Sequence, residues 1–122
     1  MRLAVGLARR CTAAAWPSYG PSLYDALRDP SRASLERHRE LLRRIVHEQQ
    51  PAGKPPAGIL AEQAYYAWRL GDKDEARAAI AEEARIYPEA KKFLEIFVRF
   101  LETQVEPVPA AAANANAAER AP

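Results

Sequence analysis

The side chains best suited to catalysis or metal binding are few in this chain of 122 residues: two histidines, one cysteine and a scatter of carboxylates. His38 and His47 lie nine residues apart. At about 100° of rotation per residue, a helix sets them on opposite faces, so they cannot share a metal within it. The single Cys11 excludes an intramolecular disulfide and any cysteine-rich metal site. There is no glycine-rich phosphate loop, no paired ligand spacing and no nucleophile elbow. No serine has a base beside it in sequence. His38 falls on an otherwise apolar helical face and reads as a core-edge residue. The expectation is a protein that is not an enzyme and needs neither cofactor nor metal.

Binding is the better-supported chemistry. Tyr65, Tyr66 and Trp68 crowd one short helical stretch. A thin core has no room for all three, so one or two should be exposed, and exposed aromatics suit interface centres. Glu83 lies seven residues after Ala76 and three after Ile80, on a face expected to point inward. A buried carboxylate needs a partner, either a nearby arginine or a group on a bound protein. These four residues are the candidate partner-binding set.

Charge does not favour nucleic acid. Eighteen basic and sixteen acidic residues give a net charge of +2. The first 44 residues hold nine arginines and four acids, whereas residues 45–106 hold eight bases and eleven acids. A phosphate-binding stripe needs its bases on one face. Arg37, Arg39, Arg43 and Arg44 instead spread around their helix, with Glu36 and Glu40 among them, as on a solvated face.

The elements that must carry these residues are helical. Ala, Leu, Glu, Arg and Lys dominate, and no stretch alternates with the period of a strand. The first 20 residues read as a leader or anchor segment. Their apolar run, residues 3–8, is shorter than the 7–15 residues of a secretory signal and leads into Arg9 and Arg10. Residues 12–20 read as irregular because of Pro17 and Gly20. A short helix is expected over 21–28, stopped by Asp29-Pro30, and a longer one from Ser31 or Ser34 to Pro51. In the longer helix Leu35, His38, Leu42, Ile45 and Gln49 share a face. Three prolines and two glycines make residues 51–58 a linker. Helices over 58–70, 73–87 and 89–104 follow, the first ending at Gly71, a good left-handed cap. The third is the most amphipathic, through Phe93, Leu94, Phe97, Phe100 and Leu101. Residues 105–122 carry little bulk and read as a disordered Pro/Ala-rich tail. The domain proper is therefore residues 21–104.

Short connections imply antiparallel neighbours. Within 56–104, Ala76, Ile80 and Pro88 have the spacing of a tetratricopeptide repeat, and Gly71-Asp72 stands at its tight turn. Leu60 and Ala64 suit the first helix of such a repeat; Gln63 and Ala67 depart from it, and Trp68 offers bulk one position late. The fold expected is all-α: a tetratricopeptide-like antiparallel hairpin with flanking helices. A single repeat leaves apolar surface for a partner or a second copy to cover.

Trp16-x-x-Tyr19, Leu23-Tyr24, Pro30, Pro55-Pro56-x-Gly58, Gly71-Asp72 and Tyr87-Pro88-Glu89 occur in that order. In this the chain resembles, over about residues 11–102, a bacterial family of small lipoproteins classed as a domain of unknown function. Members are usually secreted and lipid-anchored. They are often encoded beside a curli-type secretion channel protein and another small lipoprotein. The resemblance implies an envelope accessory or assembly factor, periplasmic and held at the outer membrane, with Cys11 as the lipidated residue. Arg10 stands where a small residue normally precedes such a cysteine, and Pro17 where glycine follows the tryptophan. The alternative expectation is a soluble cytoplasmic helical adaptor that binds a protein.

Overall fold

The computed structural model of the chain describes residues 15–49 and 53–110. Five α-helices are described: α1 (Tyr19–Arg28), α2 (Arg32–Gln49), α3 (Ile59–Arg69), α4 (Lys73–Ile86) and α5 (Lys91–Gln104). Single 3-10 turns at Trp16–Ser18 and Pro88–Ala90 precede the first and the last. The protein is all-α, and no strand is found among the described residues.

Local chemistry sets the boundaries. The hydroxyl of Ser31 accepts the Ser34 N–H at 3.2 Å and so caps α2. Helix α3 ends in paired closing bonds, Gly71 N–H to the Trp68 carbonyl and Asp72 N–H to the Ala67 carbonyl, both 2.9 Å. Gly71 takes φ +88°, a conformation that any side chain would strain. Asp72 then starts α4, its carboxylate accepting the Glu75 N–H at 3.1 Å. The Gly71-Asp72 turn thus closes one helix and opens the next.

The first helix begins earlier than Pro17 and Gly20 imply. Chain regularity starts at Trp16, and α1 runs through Gly20 and Pro21. Proline in a first helical turn removes only an N–H that has no partner there anyway. The leader-like segment and the helical domain therefore overlap at residues 16–20.

Helix α3 has two buried faces. On one side Leu60, Ala64, Ala67 and Trp68 pack with Ala76, Ala79 and Ile80 of α4 and Leu94 and Leu101 of α5. On the other, Ile59, Tyr66 and Leu70 join Leu35, Leu42 and Ile45 of α2, with Ala26 of α1. The alanines let α3 and α4 approach closely, and Ile80 and Trp68 fill the space beside them. The predicted α2 face is buried in full: Leu35, His38, Leu42, Ile45 and Gln49. Arg39 and Arg43 reach from α2 to Asp72 and Glu75 at the start of α4, so part of the basic charge of α2 is matched to the acidic first turn of α4.

Two segments expected to be loose are fastened. In the linker, the Tyr87 hydroxyl donates to the Pro55 carbonyl at 2.6 Å, and the Lys54 ammonium sits 5.2 Å from the centre of the Tyr87 ring. After α5, the Val105 carbonyl accepts the Trp68 indole N–H at 3.0 Å, and the Val108 N–H donates to the Arg69 carbonyl at 2.7 Å. Residues 105–108 are therefore a strap across the end of α3 and not the start of a disordered tail. The rest of the expected tail, from residue 111, and Cys11 lie outside the described residues.

Candidate functional site

The four sequence candidates do not form one site. Tyr66 and Trp68 are buried, at 4% and 3% exposure. Tyr66 packs edge-on to His38 at 4.7 Å between ring centres. Trp68 lies under Lys73 and Arg77, whose cations sit 4.7 and 5.5 Å from its ring centre, and under the strap. Trp68 is a core residue, and Tyr66, though largely buried, lines the wall of the groove described below. Glu83 is 3% exposed. Among the described residues no arginine pairs with it: one oxygen accepts the Gly58 N–H at 3.0 Å, and the other is buried without a hydrogen-bond partner. The carboxylate thus caps the positive end of α3 from a neighbouring helix. Tyr65 alone is partly exposed, its hydroxyl accepting from Arg69 at 3.0 Å.

Around Tyr65 lies the surface that sequence periodicity only half revealed. Helix α5 buries Leu94 and Leu101 but leaves Phe93, Ile96 and Phe100 at 59%, 55% and 45% exposure. Phe97 stacks between the two other phenylalanines, with ring centres 5.9 and 6.4 Å away. At about 100° per residue, Phe93, Ile96 and Phe100 fall within an arc of about 60° beside the buried face. The apolar arc of α5 is wider than α3 and α4 can cover. Phe93 and Phe97 also wall an open groove of about 410 Å³, with Leu23 of α1 and Ala61, Tyr65 and Tyr66 of α3. Tyr24 and Leu27 add exposed apolar surface on α1.

Under one edge of this groove runs a polar network. Glu62, which lines the groove, accepts the Tyr19 hydroxyl at 2.6 Å and bonds to His38 Nε2 at 2.7 Å. His38 Nδ1 lies 2.8 Å from the Ser22 hydroxyl. A carboxylate only accepts, so Nε2 donates to Glu62, while Nδ1 and the Ser22 hydroxyl share the second bond. This order of contacts, serine to histidine to glutamate, occurs in acyl-transfer enzymes. Here the imidazole has no exposed surface and both its nitrogens are engaged between helices. The arrangement ties α1, α2 and α3 together. Burial, the bond to Glu62 and the charge of Glu62 push the Tyr19 pKa above that of a free phenol. Burial, and then the same charge, push Tyr66 up to about 12. His38 was legible as a residue on an apolar face; its partners were not, because Glu62 lies 24 positions away on another helix.

Among the described residues no three His, Cys, Asp or Glu side chains converge as a metal site. Nor is any described helix long and apolar enough to cross a membrane. Fold and surface define an all-α protein with an uncovered apolar groove. The sequence pattern of the family described as Domain of unknown function (DUF4810) matches residues 15–97, and the chain belongs to that family. No curated protein and no solved structure matches it.

Proposed function

We propose that the protein is a non-catalytic interaction and assembly factor, a short tetratricopeptide-like stack that docks another protein in the groove between α1 and α5. The observation that carries this reading is the uncovered stripe of Phe93, Ile96 and Phe100. A contiguous apolar patch on a soluble domain marks an interaction site more often than it is tolerated idly. The resemblance to small lipoproteins supports placement in the cell envelope: a periplasmic protein tied to the outer membrane through Cys11 and working beside a curli-type secretion channel. Arg10, immediately before that cysteine, favours the second reading, a cytoplasmic adaptor of the same fold.

Two experiments test these parts separately. A photo-crosslinking residue at Ile96 should give a defined protein adduct in the native host. The same residue at Glu95, about 100° round the helix, should give none. Equal adducts at both positions, or none at either, would remove the docking reading. Expression from the native upstream region with a palmitate analogue tests the anchor: label on Cys11 places the protein in the envelope, and an unlabelled soluble fraction leaves the cytoplasmic adaptor.

A further inference from the structure

Among the described residues, helix pairing leaves one helix without a hairpin partner on its outer side. Helix α1 packs on α2, and α3 packs on α4 across the Gly71-Asp72 turn. Helix α5 contacts α3 and α4 but has no following helix on its outer side among the described residues. The described segment after α5 runs the other way. Residues 105–108 turn back to Trp68 and Arg69, and positions 110–122 contain no apolar residue larger than alanine.

The border of the uncovered stripe is charged on one side. At about 100° per residue, Lys92 and Arg99 fall about 40° and 60° beyond Ile96, on the edge away from the groove. Both are exposed, and neither has an ion pair among the described residues. The acids Glu95 and Glu102 lie farther round the helix, nearer its polar back. From Phe93 to Phe100 the stripe runs roughly 10 Å, the span of two helical turns. A second copy meeting α5 antiparallel about a two-fold axis would set this basic edge against its own counterpart. Like charges facing each other at an interface disfavour that pairing.

From this we infer that the occupant of the α5 face is an amphipathic helix of a different protein, with an apolar ridge and an acidic edge. It takes the place of the missing hairpin partner, its ridge on Phe93, Ile96 and Phe100 and its carboxylates beside Lys92 and Arg99. Ridge and groove set the affinity, and the charged edge sets orientation and selectivity. The inference rests on the docking reading above and adds the chemistry of the partner.

Two synthetic helical peptides of the same apolar ridge, one with a glutamate edge and one with a lysine edge, serve as probes against the full chain. Fluorescence anisotropy should show the glutamate peptide binding about tenfold tighter at moderate salt, with the ratio growing as salt is lowered. The double variant Lys92→Glu, Arg99→Glu should reverse the preference, and Phe100→Asp should abolish binding of both peptides. Circular dichroism checks that each variant keeps its helix. Equal affinities, a preference for the lysine edge, no binding of either peptide, or a ratio unmoved by the charge reversal would each overturn the proposal. So would a dimer, seen by sedimentation, that Ile96→Asp dissolves. An Ile96 adduct in cells combined with any of these results leaves the docking reading standing and removes only the acidic-edged helix.

Discussion

At the residue scale, burial decides which aromatics bind and which hold the fold. Trp68→Ala removes a buried indole and its bond to Val105, so about 3–5 kcal/mol of stability should be lost. In a small domain that leaves little folded protein, visible as loss of helical signal in circular dichroism. Retained helix with weakened binding would return Trp68 to the interface. The raised phenols give a second expectation. An acid whose pKa is higher folded than unfolded stabilises the fold below its unfolded value, near 10, and that contribution is lost as pH rises through the folded one. For Tyr66, pushed up to about 12, the window is pH 10 to 12. Absorbance at alkaline pH should show its ionisation together with unfolding, and normal titration of Tyr66 in the folded state would contradict its placement. The sequence singled out Tyr66 as a partner-binding candidate and Tyr19 as part of a motif, but not their sharing of one polar network. Tyr19 and Tyr66 are 47 positions apart and meet only because α1 and α3 flank His38, a relation that periodicity along one helix does not encode.

At the element scale, helix existence and most stops were legible because they are written locally. Ser31, Gly71, Asp72 and Pro88 each act within one turn of their own position. The entry at Trp16 was misread because Pro17 and Gly20 are breakers only inside a helix, not in its first turn. The strap was missed for a different reason: its two bonds reach back 37 and 39 residues, and low bulk argued for disorder. Ending the chain after Gln104 should therefore expose Trp68, shift its fluorescence to longer wavelength and lower the melting temperature; an unchanged spectrum would detach the strap from α3. Gly71→Ala tests the turn. Nothing crowds a Cβ there, so the cost is the backbone conformation alone, about 1 kcal/mol of unfolding free energy measured by denaturant titration. The amphipathic character of α5 was read correctly, but which of its large residues remained uncovered was not. That depended on how wide a neighbour α3 and α4 make together.

At the scale of the whole molecule, two cores share one helix, so they should unfold as one. Leu42→Ala, in the α1–α2 core, and Leu101→Ala, in the α4–α5 core, should each cost about 2–5 kcal/mol. Each should still give a single transition, coincident by circular dichroism and tryptophan fluorescence. Two separate transitions would divide the molecule. Helix α3 is also fastened from outside at both ends: Glu83 of α4 holds the Gly58 N–H, Arg32 of α2 reaches the Leu70 carbonyl at 3.3 Å, and Val108 holds the carbonyl of Arg69. A helix whose termini are tied to remote parts of the chain cannot fray by itself. Its amides should exchange with deuterium more slowly than those elsewhere, and only when the entire molecule opens. The groove thus has a floor that does not yield, and a visiting protein meets a ready-made mould that spares it the entropic cost of shaping one.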